Sequence, residues 1–398
     1  MNSDITSAHQ PASGDFFPCL DGLRAFAVLS VVIFHSFYFN QHSPVQKIIG
    51  SFVNGGWMGV PVFFVLSGYL ISYTVFKNPD QFDVLSYAAR RFGKIAPPYI
   101  LSLIVFAGLL FFWKHPGNLV ASVFAYATTW AHFQRGWADI NGVYWSLMIE
   151  MHFYVVLPLL FFGLKRVSRY PDWLTFFVFL LIPPVVRFFS HFPFYASLEI
   201  RLVYENLFPR ALDNFALGIL FSIIQIRFRN HPSITRIAAA VAASGVFLML
   251  ATYCLYAFLE WKFGVRYGNT IPTFEMLRFL PELSTFCLLF VVFTPQQNVL
   301  NRILSWPVLG FIGLISYEWF LFHMPPAQFL ADIVGKSHGD LSNYLVKAII
   351  PFATTFCASA FIYFYMSAPI LSKIKGQLKA RKQRILDQAG EASPAQLS

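Results

Sequence analysis

The chain has 398 residues, of which 57% are hydrophobic, 19% aromatic and only 12% charged, and its mean hydropathy is +0.57. Soluble domains carry about twice that charged fraction, and no polar stretch here is long enough to fold one, so the sequence reads as a single polytopic, all-α membrane bundle. The net charge of +10 is the excess expected of cytoplasmic loops, and no basic module interleaved with aromatics points to nucleic acid.

Residues 1–19 form a polar N-terminus. Residues 1–17 lack Lys and Arg, and no small-residue cleavage site follows the first apolar run, so that run is expected to stay attached. About ten apolar segments follow, at 20–38, 57–76, 97–113, 143–164, 172–190, 208–226, 234–259, 276–294, 308–330 and 343–368. Each is near the roughly 20 residues a crossing needs. Residues 118–133 are apolar but short, and read as a re-entrant or interfacial helix.

Placing both termini in the cytoplasm puts most of the cations inside. These are Lys77, Arg90, Arg91 and Lys94, then Lys165, Arg166 and Arg169, then Arg227, Arg229, Arg236 and Arg302, and finally the tail. The tail, 372–398, is basic and then polar; it is expected to lie on the anionic leaflet and then fray. The cysteines form no CxxC or Cys/His cluster, so neither a disulfide framework nor a metal site is expected.

The first span carries Arg24 near its start and His35 near its end. At about 100° per residue an eleven-residue step is roughly three turns, so both lie on one helix face, roughly 16 Å apart along the axis. Ionisable groups in a spanning helix usually face a protein interior or a wet cavity, which suggests a lined passage. The blander reading is that Arg24 snorkels to the headgroups and His35 donates to a nearby carbonyl.

Before the third span, Arg90, Arg91 and Lys94 crowd together ahead of Pro97-Pro98. If that loop is helical, Arg91 and Lys94 are neighbours able to bind phosphate groups; an ordinary cytoplasmic anchor is the alternative. The fourth span holds Glu150, with Tyr154 one turn on and on the same face. Glu150 and His35 both fall in the outer half of the bilayer in this topology. A carboxylate there would orient the imidazole, although a protonated Glu bonded to another helix fits the residues too. Ser67, in the second span, lacks a nucleophile-elbow setting and reads as a packing residue beside Gly68. Glu318, His323, Asp213 and Asn214 are supporting candidates only.

Taken in order, these motifs resemble the acyltransferase-3 family of membrane-bound acyltransferases over almost the whole chain. Arg24 and His35 fit its Arg-x10-His motif. Phe63–Ile71, the Arg91/Lys94 pair, Trp145-Ser146-Leu147 with Glu150, Phe153 and Tyr154, Phe215 with Gly218, and Ser316-Tyr317 with His323 fit its later signatures. Lys94 stands where the family mostly has Arg, which keeps the charge but loses the bidentate fork. Ser367-Ala368-Pro369 stands where many members have Glu-x-Pro.

The resemblance implies a transmembrane domain over 20–371 that moves an acyl group, usually acetyl, from cytoplasmic acyl-CoA to a hydroxyl. The acceptor it implies is a surface glycan or a lipid-linked sugar, in a bacterial inner (plasma) membrane. Read together with the residues, His35 is expected to be the general base, with Glu150 orienting it or stabilising its imidazolium. Arg90, Arg91 and Lys94 hold the coenzyme phosphates, Arg24 contacts the donor or its thioester carbonyl, and no metal is needed. No soluble transferase domain follows the last span, so the chain is expected to complete the transfer itself. A transporter or flippase using the same polar groups is the competing reading; it lacks an inverted-repeat signal and paired broken helices.

Overall fold

A computed structural model describes residues 17–37, 44–132, 137–190, 212–264, 271–326 and 341–391. The first sixteen residues and the last seven, where the polar N-terminus and the tail end were expected, lie outside the described residues, as do 38, 208–211 and 327–330 of the expected spans.

Fifteen α-helices follow in order among the described residues. They are α1 Pro18–Ser36, α2 Pro44–Asn54, α3 Gly59–Phe76, α4 Val84–Lys114, α5 Leu119–Ala127, α6 Tyr144–Lys165, α7 Pro171–Ser190, α8 Leu212–Phe228, α9 Pro232–Phe263, α10 Ile271–Leu289, α11 Val299–Leu304, α12 Pro307–Leu314, α13 Ser316–Phe322, α14 Leu341–Ile362 and α15 Ala368–Glu391. The chain is an all-α polytopic membrane bundle.

Among the described residues six helices are long and apolar enough to cross a membrane, or seven if α12 and α13, bent by 53°, count as one crossing. About ten were expected, and several of those segments differ from a straight apolar crossing among the described residues. Helix α8 has 17 described residues, and α10 carries Glu275, Arg278 and Glu282 within its length. Helix α7 covers the 20 residues Pro171–Ser190, and the ninth segment is broken at Ile315. Within the expected short segment, the described residues 118–132 give the nine-residue α5 and a short 3-10 turn. At about 1.5 Å per residue that helix cannot span.

Two segments run longer than their apolar cores suggested. Helix α4 begins at Val84 and continues through Pro97 and Pro98, so the expected basic loop is helix. Proline usually breaks a helix because it removes a backbone donor. Here the Tyr317 hydroxyl donates to the Ile95 carbonyl at 3.0 Å and braces that turn from outside. The basic part of the tail is helical, for α15 runs to Glu391 and packs along α4.

Helix α1 is the hub. It contacts α3, α11, α12, α13 and α14 and buries Leu23, Ala27, Val28, Val31 and Val32. The peripheral helices present large apolar side chains outward, among them Ile104 and Phe112 of α4 and Phe247 and Leu250 of α9. A bundle solvated by lipid has no reason to hide such residues.

Helix α3 crosses α8 at close range. A Cβ on Gly218 would run into the Val65 carbonyl, and one on Gly68 into the Phe215 carbonyl. Polar side chains add to the pair: Ser72 Oγ meets Ser222 Oγ at 2.8 Å, and the Tyr69 hydroxyl donates to Gln225 at 2.5 Å. Small residues and interhelical hydrogen bonds are what association in lipid relies on. Gly218→Val is therefore expected to destabilise the bundle by about 1–3 kcal/mol, read as an earlier thermal unfolding transition in detergent. Gly163→Ala, with open space around it, should leave that transition in place.

Asp83 caps α4, accepting from the backbone N–H groups of Leu85 (3.0 Å) and Ser86 (3.3 Å). Arg381 of α15 reaches the same carboxylate at 2.6 Å. The Ser86 hydroxyl, helped by Arg381, holds the Asp83 carboxyl down at about 2, below its unfolded value of roughly 3.9. A depressed acid stabilises the fold above its unfolded value and loses that contribution as pH falls through the folded one. Asp83→Ala should thus cost at most about 1 kcal/mol at pH 7. Its unfolding curve should converge with that of the unmutated protein as pH falls from about 4 towards 2.

Candidate active site

One face of α1 presents Arg24, Val28, Val31 and His35 at helical spacing. Alongside it runs α13, whose facing residues Tyr317, Phe320 and His323 recur every three residues. The two helices therefore meet at three levels: a polar level at Arg24, an apolar level at the valines and Phe320, and a second polar level at His35.

At the first level a cavity opens between α1, α3, α4, α6 and α13, lined by Arg24, Ser67, Arg91, Lys94, Glu150 and Tyr154 among others. Arg24 is fixed by Asp21, one turn back, at 2.8 Å. Arg91 lies 5.8 Å from the ring centres of both Tyr87 and Tyr154, within cation–π range. Lys94 is in electrostatic contact with Arg24, Arg91, Glu318 and Asp21. Glu150 accepts hydrogen bonds from the Ser67 hydroxyl and, at 2.5 Å, from the Tyr154 hydroxyl. Three cations and a carboxylate thus converge on one pocket. Arg90 points elsewhere: it does not line the cavity and is exposed.

The second level is packed shut. Val28 and Val31 are at most 1% exposed, and the Phe63 and Phe320 rings meet edge to face at 5.8 Å. Both rings border the cavity. Where a lined passage was expected between Arg24 and His35, the intervening residues on that face of α1, Val28 and Val31, are buried.

At the third level His35 does not meet Glu150. Its Nδ1 lies 3.0 Å from the Val31 carbonyl oxygen and 3.0 Å from Nε2 of His323. The expected His–Glu pair is replaced by a His–His pair, with Glu150 held at the first level by α3. Hydropathy places a residue along a helix but not around its neighbours, so a shared depth was mistaken for contact.

Asp21 and the pairing of Ser67 with Glu150 were missed from the sequence, and His323 and Glu318 were named there only as supporting candidates. Asp21 was legible as an Asp–Arg pair one turn apart. His323 was legible from the three-residue recurrence along α13. Ser67 as a partner of Glu150 had no local signal. Glu318, beside Ser367, brings a carboxylate to the place where many relatives have one on the last helix. Asp213 is tied to Arg278, whose guanidinium donates to both carboxylate oxygens at 3.1 Å, away from the cavity.

The ordered motifs agree with a comparison to known proteins. The acyltransferase-domain model of the acyltransferase-3 family matches residues 17–366. The chain belongs to that family. It is 25% identical over 380 residues to the peptidoglycan O-acetyltransferase OatA of Listeria monocytogenes, covering 90% of this chain and 56% of that protein. It is 23% identical over 390 residues to the O-acetyltransferase OatA of Staphylococcus aureus, covering 93% of this chain and 60% of that protein. The chain thus spans little more than half the length of these relatives. No solved structure matches it. The acyltransferase-3 domain accounts for α1 to α14, whereas α15 lies beyond the matched residues.

Proposed function

We propose that this member of the acyltransferase-3 family moves an acyl group, acetyl by default, from cytoplasmic acyl-CoA to a hydroxyl of a cell-envelope glycan or lipid-linked sugar. The carrying observation is a single helix, α1, that bears a cation in a basic cavity at one level and an imidazole bonded inside the bundle eleven residues on. In this reading the protein lies in a bacterial inner membrane with both termini in the cytoplasm, as the loop cations suggest.

Arg91 and Lys94 bind the coenzyme phosphates from the cytoplasmic face, and Arg24 contacts the pantetheine arm or the thioester. Arg90, being exposed, adds field at the mouth of the cavity and no direct contact. Glu150 takes a role different from the one first expected. It holds the Tyr154 hydroxyl, and so positions the ring against which Arg91 lies. Donor binding parts Phe63 from Phe320, which lets the thioester reach the His35 level.

His35 accepts the proton of the acceptor hydroxyl as that oxygen attacks the thioester carbonyl. The carbon–sulfur bond breaks, the acyl oxygen ester forms, and the coenzyme leaves as its thiol after taking up a proton. The chemistry needs no further co-reactant.

Mass spectrometry of envelope glycans and lipids from cells with and without the gene tests this reading. A fixed mass difference of one acyl group on a glycan or lipid-linked sugar is expected. Identical acylation in both strains, with a labelled intact substrate moved across the membrane instead, would contradict it.

A further inference from the structure

His323 has no role in the reading above, yet it is among the most buried polar side chains of the chain, at 1% exposure. Its hydrogen bonds fix where its proton is. Nδ1 lies 2.8 Å from the Phe320 carbonyl oxygen and 3.2 Å from that of Trp319. A carbonyl oxygen only accepts, so His323 Nδ1 carries the hydrogen. A neutral imidazole has one N–H, which leaves His323 Nε2 as a lone-pair acceptor. That atom is 3.0 Å from His35 Nδ1, which also faces the Val31 carbonyl oxygen at 3.0 Å.

His35 Nδ1 is thus flanked by two acceptors and must be the donor. Its Nε2 then bears the lone pair, and among the described residues no protein group bonds to it. A doubly protonated His323 would reverse the bond. It would turn the lone pair of His35 Nδ1 against the Val31 carbonyl and put a charge among Trp319, Phe320 and Phe322, all buried.

We infer that His323 is the positioning residue of His35: it selects the tautomer and ring orientation that leave His35 Nε2 as the basic nitrogen. The inference rests on the reading of His35 as the general base. In serine-protease triads a carboxylate does this work, and disturbing it yields the wrong tautomer and a loss of about 10⁴-fold in kcat. Here a neutral imidazole does it, itself anchored on the backbone at the end of α13.

When the acceptor hydroxyl gives its proton to His35 Nε2, the Nδ1–H bond to His323 becomes charge-assisted and strengthens. No proton passes to His323. Phe320 adds a connection to the donor side, since its carbonyl anchors His323 while its ring borders the basic cavity.

The test uses the full chain in membranes, with labelled acetyl-CoA as donor and the native envelope extract as acceptor. His323→Leu removes the acceptor atom; His323→Gln returns an amide oxygen at similar reach. The inference predicts a fall in kcat of about 10²-fold or more for His323→Leu. The KM for acetyl-CoA should stay within about twofold, and His323→Gln should recover most of the rate. His35→Ala is run alongside. If His35→Ala is inactive but His323→Leu keeps full kcat, the inference fails and the base assignment survives. If His35→Ala keeps full transfer, the base assignment fails as well. ¹⁵N NMR of histidine-labelled protein in bilayers needs no variant that must refold around a lost side chain. It is expected to show His35 protonated at Nδ1, and an Nε2–H tautomer would overturn the inference.

Discussion

Replacing His35 with alanine is expected to lower acyl transfer by about 10²–10⁴-fold, the usual contribution of a general base. The fold should tolerate the change. His35 is in the last turn of α1, next to the extended Phe37 where the helix ends, so no helical turn depends on it. The loss is the hydrogen bond to His323, and leaving that nitrogen unpaired costs about 1–3 kcal/mol. The α1 core of Leu23, Ala27, Val28 and Val31 is untouched. Rate and integrity therefore separate: the labelled-acetyl assay should fall to background while the purified variant elutes as a single species in detergent. A variant that is well folded and fully active would remove His35 from the chemistry.

The second large effect is in the basic cavity, on α4. Arg91→Ala is expected to raise the KM for acetyl-CoA by about 10- to 150-fold. That is the range corresponding to about 1.5–3 kcal/mol for a hydrogen bond to a charged group. Arg91 is well placed for such an effect because Tyr87 and Tyr154 hold its guanidinium from two sides, which lowers the entropy lost on gripping a phosphate. Its neighbour makes the control. Arg90 is exposed and outside the cavity, so Arg90→Ala should change KM by no more than about threefold, as expected of a screened surface charge. Equal effects at the two positions would mean that the cations act only through their summed field.

The same contrast shows what a sequence can and cannot disclose. Composition and apolar run length settled that the chain is a helical membrane bundle, because the bilayer imposes one length and one polarity on every crossing. They did not settle the number of crossings. Helices such as α8 and α10 are buried by their neighbours and need not be long or charge-free to be helical in a bundle. Helical periodicity put Arg24 and His35 on one face of α1, and Arg91 beside Lys94, since those relations are internal to one helix.

Relations between helices were a different matter. Glu150 was assigned to His35 on depth alone, whereas α3 brings Ser67 to Glu150 and α13 brings His323 to His35. The valines between Arg24 and His35 were in plain view as apolar residues. That they close the space between the two groups follows only from Phe63 and Phe320 arriving from elsewhere in the chain.

The central claim is that the basic cavity and the His35 level serve one reaction, although packed aromatic side chains divide them. A cryo-EM structure of the full chain in nanodiscs with a non-hydrolysable acetyl-CoA analogue tests it most directly. The account predicts coenzyme phosphates on Arg91 and Lys94, the Phe63 and Phe320 rings parted, and the acyl carbon placed so that an acceptor oxygen about 3–3.5 Å away also reaches His35 Nε2. Phosphates bound elsewhere, or an acyl group ending at Glu150 with Phe63 and Phe320 still in contact, would contradict it.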